Sequence, residues 1–546
     1  MSYYSQLNIS TKNLILIFSI LIITVFYIII NTKLYYQDPS KYFYYNDTGH
    51  KIDWSSVSRD RVNPDTEKYV EENTFQEDLG FQPVSDDGLY VYSVFFGNQN
   101  TRKLIIIGID KSIKKRKLLC EFYQNSTSVL PNSQTNATKR NSADGYNTGL
   151  KYCPIFIDCD IPEEIQHPNY VSINTIDTPS NYSRNLLKVH DTPEFPIYNI
   201  SACLQPIYTN ENVTTINPLR LIEWLEFQLM MGVQHFTFYN ISANPIISKV
   251  LKSYKEVSIL PWNIPFILPN EIRARGQFIQ ANDCSHRHRG ISRFVVTLDY
   301  DEFLIPHQNI SDNFISLFEH ILDLDEIKNG DKLITSILFR ADFSFTTWPM
   351  GANLSSQLYD TNFLGVPTMT NFIQSQQAKF VQLPENVVES GVHFVMEGVP
   401  GSRQYVAERN FGRYLHFREC TEFFQKRNPT LPNNQTCNPG ASFVENFDAV
   451  DRFAEKIVTR VDKKGYILIA MTLRKELFAF ALVVALIISL GTTTACFSEH
   501  RNDFQHRGIG AMVTKSVDLK CTGGSHYSKH LGRCVTSENF GRNMVG

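Results

Sequence analysis

Residues Phe294–Pro306 read FVVTLDYDEFLIP. Apolar and β-branched residues lead into three acids within four positions, Asp299, Asp301 and Glu302, and an apolar run then closes over them. A short continuous apolar run reads as a buried strand, which puts the acids at a strand end. Burying even one unpaired carboxylate is expensive. The cluster therefore requires a partner, and a metal ion is one candidate.

Upstream of this stretch the chain alternates helices and strands. NPLRLIEWLEFQLMMG opens with Asn217 as N-cap and Pro218 at the first helical position, places Leu219, Ile222, Leu225 and Leu229 on one face, and stops at Gly232. VQHFTFYN follows as a strand. A second helix starts with the same signature, Asn244 then Pro245, carries Ile247, Val250, Leu251 and Tyr254, and precedes the strand VSILPW. A third helix, roughly Glu271 to Arg289, stops at Gly290 and delivers the chain into the acidic strand. This is the spacing of right-handed βαβ crossovers, and in such open sheets ligands bind beyond the carboxyl ends of the strands. The basic stretch SHRHRG, Ser285–Gly290, reads as a solvated last helical turn, where cations are favoured, with attraction of a diphosphate as the alternative.

Further upstream the pattern changes. Residues 86–195 hold short aromatic and β-branched runs, GLYVYSVFFGN, KLIIIGID and LKYCPIFIDCDIP, and read as mostly β. Their polar insert QNSTSVLPNSQTNATKRNSADGYNTG reads as a long exposed loop. Residues 32–85 are polar and irregular and suit a stem. Leu14–Ile30, LILIFSILIITVFYIII, carries no charge and has about the length of a bilayer span, with no small-residue cleavage site after it. The expected order is a cytosolic tail (1–12), a transmembrane signal-anchor (13–31), the stem and a lumenal body.

Composition agrees with that body. Beyond the span, sequons occur at Asn46, Asn125, Asn136, Asn181, Asn199, Asn212, Asn240, Asn309, Asn353 and Asn434. Seven cysteines between Cys120 and Cys437 suit a disulfide-forming compartment, with Cys153 and Cys159 read as disulfide partners before metal ligands. With a net charge of −3 and roughly balanced acids and bases, nothing suggests an electrostatic nucleic-acid binder. The tail is out of keeping. MTLRKELFAFALVVALIISLGTTTAC, from Met471, has the layout of a secretory signal peptide, so 471–546 reads as a second protein joined to the first, or as a second span with a Cys-containing tail.

Asp299 and Asp301 share a strand face and suit one hard divalent cation, Mn²⁺ or Mg²⁺, that leaves open positions for the phosphates of a nucleotide-sugar. A DxD tripeptide alone also suits a solvated acidic turn. Here it ends an apolar strand in a lumenal protein, which resembles Golgi glycosyltransferases of the GT-A fold. The resemblance narrows to glycosyltransferase family 92, over about Leu89 to Arg418. The blocks that carry it are LYVYSVFFGNQN, CLQPIY, LIEWLEFQLMMGVQHFTFYN, GQFIQANDCSHRHRGISRFVVTLDYDEFLIP, AKFVQLPENVVESGVHFV and LHFRE.

What the resemblance implies is a GT-A domain over 196–465, in a single-pass type II Golgi membrane protein. Its reaction would be metal-dependent, inverting transfer of a hexose, galactose in the family's characterised animal activity, from a UDP-sugar to a glycan or glycoprotein acceptor. By position, Asp299 and Asp301 become metal and nucleotide ligands and Glu302 the adjoining acid. His393 and His416 are the candidates for a further metal ligand, and Arg418 for a phosphate contact. HFR stands where the family more usually has His-Tyr-Arg, which keeps the His and drops a hydroxyl. Inversion needs a general base; Asp342, Glu385 and Glu389 lie in the right half of the domain. Trp262 and Trp348 are expected in the core. The alternative function is a non-catalytic glycan-binding glycoprotein on the same scaffold.

Overall fold

A computed structural model describes residues 79–97 and 101–420, except 112–113, 129–130, 144–148, 177–184, 194, 210–215, 266–270, 349–362, 367 and 371–373, together with 444–446, 453, 456–465, 525–528 and 533–536. The apolar segments at Leu14–Ile30 and after Met471 lie outside the described residues. Among the described residues no helix is long and apolar enough to cross a membrane. Two compact units divide between Leu468 and Ile469. In the second, Ser525–Ser528 pairs antiparallel with Arg533–Thr536.

The first unit begins with eight strands: β1 (Gln82–Ser85), β2 (Leu89–Phe96), β3 (Lys103–Lys111), β4 (Leu118–Tyr123), β5 (Ser133–Asn141), β6 (Tyr152–Asp160), β7 (Tyr170–Thr175) and β8 (Leu187–His190). They run in the order β1-β2-β3-β6-β5-β4-β7-β8, and a further β2–β8 pairing closes the sheet on itself. The isoleucine run of β3 is apolar on both faces because both are covered. Leu104 and Ile106 fill the interior with Val91, Phe122 and Ile155. Ile107 and Ile109 face outward and pack with Trp262, Ile279 and Val295 of the next layer.

In this first sheet two expectations do not hold. Ser133–Asn141, read as loop from its polarity, is a strand hydrogen-bonded to β4 and β6. Its side chains alternate between half-buried and exposed, so little apolar surface marks it in the sequence. Cys159 pairs with Cys120 and not with Cys153. Cys153 and Cys159 lie on the same extended strand, whose rise of about 3.3 Å per residue holds them too far apart to bond.

The second sheet takes β9 (Tyr198–Cys203), β10 (Ile207–Tyr208), β11 (His235–Ser242), β12 (Val257–Pro261), β13 (Ser292–Thr297), β14 (Glu302–Pro306), β15 (Leu333–Phe345), β17 (Gln374–Gln382), β20 (Ser402–Val406) and β21 (Gly412–Arg418). The short strand β16 (Thr368–Thr370) lies outside this sheet, and β18 (Val387–Ser390) and β19 (Val395–Gly398) form a hairpin of their own. In space, β12, β11, β9 and β13 lie side by side and parallel, the third, second, first and fourth strands of the alternating segment. Helices α1 (Pro218–Met230) and α2 (Pro245–Lys252) start where expected, with the side chains of Asn217 and Asn244 accepting from backbone N–H groups of their first turns. Beyond β13 the sheet turns mixed, with β17 antiparallel to both β13 and β15.

Helix α3 (Gln277–Arg287) is shorter than expected. A 3₁₀ turn, Arg273–Gly276, precedes it, with Ala274, Arg275 and Gly276 at φ of 44°, 53° and 83°. The helix lies between the two sheets, so SHRHRG is buried and not solvated. Arg287 is paired with Asp283 at 2.9 Å, Arg289 donates to the Val387 carbonyl, and His288 bridges Thr237 and Ser292. Trp262 and Trp348 are both in the core.

Candidate functional site

Sheet order reverses between β9 and β13, where the chain leaves in opposite directions and opens a crevice beyond the strand ends. Gln205 follows β9 and Asp299 follows β13, and both line a pocket of about 260 Å³ with Gln277, Asp301, Glu302, Val392, His393, His416 and Arg418. Six residues singled out in the sequence, separated by up to 119 positions from Asp299 to Arg418, thus share one cavity.

The turn between β13 and β14 is held from three sides. Glu302 N–H donates to the Asp299 carbonyl, Phe417 N–H donates to the Asp301 carbonyl, and Trp224 of α1 donates its indole N–H to the Glu302 carbonyl at 3.0 Å. Strands β14 and β21 pair so that Glu302 faces His416 directly. Glu302 Oε2 accepts from the Asp299 N–H at 2.6 Å, and Oε1 lies 3.5 Å from His416 Nδ1. On the other edge of the ring, His416 Nε2 lies 3.7 Å from Asp301 Oδ2. Neither distance is a hydrogen bond, and His416, 3 % exposed, has no hydrogen-bond partner for either ring nitrogen among the described residues. One ligand atom each from Asp301, Glu302 and His416 lies within 4.8 Å of the others. A buried imidazole between two carboxylates is a donor set that fits a divalent cation.

The acids also have a partner that the sequence reading missed. Lys379 of β17 sits 3.2 Å from Asp299 Oδ2 and 3.1 Å from Glu302 Oε2, its side chain 3 % exposed. Burial opposes the charge of Lys379, but Asp299 and Glu302 outweigh it and hold the ammonium charged. Burial and the neighbouring Glu302 push Asp299 up to about 6, against the pull of Lys379. For Glu302 burial acts upward too, yet Lys379 and His416 hold it below the usual carboxylate range. For Asp301 burial is outweighed by His416 and then Arg418. Arg418 is half-exposed and 4.0 Å from Asp301 Oδ2, which leaves its guanidinium open to the cavity. The available signal for Lys379 was a single lysine inside the apolar run AKFV, since a buried lysine needs a counter-charge. Gln205 and Gln277 carried no signal beyond their places after a strand and before a helix.

His393 is half-buried on the pocket wall. Its Nδ1 lies 3.1 Å from the Ala378 carbonyl, which only accepts, so Nδ1 carries the proton and Nε2 is the free acceptor. Burial, then the charge of Lys379, keeps the ring neutral. His393 is not among the three residues whose ligand atoms cluster.

The expected bases are elsewhere. Asp342 is 1 % exposed and paired with both Arg409 and Arg413, the latter at 2.7 Å. In the β15–β21 register Phe343, not Asp342, stands opposite His416, so Asp342 is one residue out of step with the site. Glu389, also 1 % exposed, accepts from Ser142 and the Ala143 N–H and clasps the closed sheet to β18. Neither lines the pocket.

The glycosyltransferase family 92 model matches residues 198–464. The chain is 23 % identical over 287 residues to β-1,4-galactosyltransferase galt-1 of Caenorhabditis elegans, covering 50 % of this chain and 62 % of that protein. It is 24 % identical over 242 residues to galactan β-1,4-galactosyltransferase GALS3 of Arabidopsis thaliana, covering 42 % and 43 %. For GALS2 of the same plant the identity is 22 % over 340 residues, covering 54 % and 57 %. The chain therefore spans less than two thirds of the length of each of these relatives.

Proposed function

Residues 198–464 are a glycosyltransferase family 92 domain, and from that premise we propose that the protein is a GT-A-type enzyme. In this reading it transfers a hexose, galactose as in its named relatives, from a UDP-sugar to a glycan acceptor with inversion. The observation that carries the reading is the buried His416 set between Asp301 and Glu302, in the crevice at the switch point between the parallel strands β9 and β13.

Asp301 and His416 would hold a divalent cation, Mn²⁺ or Mg²⁺, with Asp299 on the adjoining wall. When bound, the ion supplies positive charge to the departing diphosphate. Glu302 orients His416 through Nδ1, and Arg418 meets phosphate oxygens from the half-exposed side. The acceptor hydroxyl oxygen bonds to the anomeric carbon as the bond from that carbon to the diphosphate breaks, its electron pair leaving with UDP. The hydroxyl proton needs an acceptor on the pocket wall. His393, neutral and offering Nε2, replaces Asp342 and Glu389 as that base.

Placement in the Golgi lumen behind the anchor Leu14–Ile30 belongs to the same reading. It is supported by exposed sequon asparagines at Asn125, Asn136, Asn199 and Asn309 and by the disulfides Cys120–Cys159 and Cys203–Cys284. The test is UDP release from a panel of UDP-sugars with Mn²⁺, with EDTA, and for Asp301→Asn. The expected result is turnover of UDP-galactose that EDTA abolishes and Asp301→Asn lowers by about a hundredfold or more. A folded protein that binds no UDP under any divalent cation removes the transferase reading and leaves the glycan-binding one.

A further inference from the structure

Three carboxylates and the His416 imidazole meet in this pocket, and a divalent cation with all of them would be tightly held. Lys379 prevents that arrangement. Its ammonium already lies 3.2 Å from Asp299 and 3.1 Å from Glu302. Glu302 is further committed, with Oε2 accepting from the Asp299 N–H and Oε1 facing His416 Nδ1. An ion drawing on Asp299 or Glu302 would sit against a buried ammonium, and like charges at such separations repel strongly in a low dielectric. Asp301 Oδ2 and His416 Nε2 are left, 3.7 Å apart, and among the described residues the ion pairs of Lys379 are with Asp299 and Glu302.

The backbone makes Lys379 a fixed part of the site. Its neighbour Phe380 pairs with Thr297 at the end of β13, and Lys379 itself pairs with Phe339 in the middle of the sheet. The ammonium therefore reaches the acidic turn from a strand hydrogen-bonded on both edges.

We propose that Lys379 is the resident counter-cation of the acidic cluster: it reserves Asp299 and Glu302, confines a divalent ion to Asp301 and His416, and so makes ion binding depend on the diphosphate that completes the coordination. This rests on the metal-dependent transferase reading above. Two protein donors are too few for a hard ion to be held tightly without further oxygens, so the ion and the nucleotide enter as one unit. Lys379 is a positioning residue: it contacts Asp299 and Glu302 and does not line the cavity.

The test measures Mn²⁺ binding directly, by calorimetry and by the spin-resonance signal of free Mn²⁺, with and without UDP. Wild type is expected to bind Mn²⁺ weakly alone and about tenfold or more tighter with UDP. Lys379→Met releases two carboxylates. It is expected to bind Mn²⁺ without UDP about tenfold or more tighter than wild type, with the gain from UDP reduced, whereas Lys379→Arg keeps the wild-type pattern. Thermal melting supplies a second readout, Lys379→Met being destabilised in EDTA and restored by Mn²⁺. The proposal is overturned if Lys379→Met binds Mn²⁺ no tighter than wild type. Should that variant not fold, the wild-type arm still decides, because Mn²⁺ binding that is equally tight with and without UDP is incompatible with the proposal. A wild type that binds no Mn²⁺ even with UDP sinks the metal-dependent reading itself, a result distinct from either of these.

Discussion

At the scale of single residues, the site rests on what each buried polar atom has for a partner. His393 and His416 differ in this respect. The first is fixed through Nδ1 to a carbonyl, and the second faces carboxylates at distances longer than hydrogen bonds. Their substitutions should therefore separate. His393→Gln is expected to lower kcat by about a hundredfold or more while Mn²⁺-dependent UDP affinity stays within about threefold. His416→Gln should abolish that affinity. Loss of Mn²⁺-dependent UDP binding in His393→Gln would return His393 to the ion's ligands and leave the base unassigned. Asp342 and Glu389 show why acids cannot be assigned by their place in the sequence. Both are buried and both are consumed by structural pairs.

At the scale of elements, the entry to α3 concentrates strain beside the pocket. Ala274 and Arg275 adopt left-handed backbone, and Gly276 follows at φ 83°. A Cβ on Gly276 would lie 2.8 Å from Ile264 Cδ1 and 3.4 Å from Trp262 Cζ2. Gln277, next in the chain, lines the cavity. Gly276→Ala is expected to cost about 1–2 kcal/mol in denaturant unfolding and to weaken UDP binding as well. The N-cap substitution Asn217→Ala should cost a similar amount, about 1 kcal/mol, with UDP binding unchanged. Equal binding in the two variants would show that the turn serves folding only. The helix starts were legible because Asn-Pro is a local signal. The length of α3 was not, because burial between two sheets makes its polar residues structural.

At the scale of the whole molecule, the layer between the sheets holds His235, His286 and His288, all buried. Burial pushes His235 down to about 4. The folded state keeps it neutral while the unfolded chain takes up a proton below about pH 6.5, so its contribution is complete above that pH and is lost as pH falls toward 4. At about pH 5 this amounts to roughly 2 kcal/mol of destabilisation. His235→Gln should narrow the difference in unfolding free energy between about pH 7.5 and about pH 5 by that amount; an unchanged difference would mean that the ring charges in the folded state. The unit boundary at Leu468 and Ile469 falls close to Met471, where the sequence changes character. A chain ending at Leu468 is expected to keep the melting temperature and UDP affinity of the full chain. A fall in either would tie 469–546 to the same function.

The sequence by itself determined the alternation of helix and strand, the caps that begin α1 and α2, and the acidic turn at a strand end. Each of these is written in residues near one another along the chain. It also carried the resemblance to glycosyltransferase family 92, through ordered blocks that run from β2 of the first sheet to β21 of the second. The tertiary structure alone decided what the acids meet. Lys379 lies 80 positions from Asp299 and reaches it only because β17 inserts antiparallel beside β13. The same holds for Cys120 and Cys159, for the polar strand β5 and for the buried SHRHRG turn. Charge compensation and burial depend on which strands become neighbours, and that is settled by long-range pairing, not by local pattern.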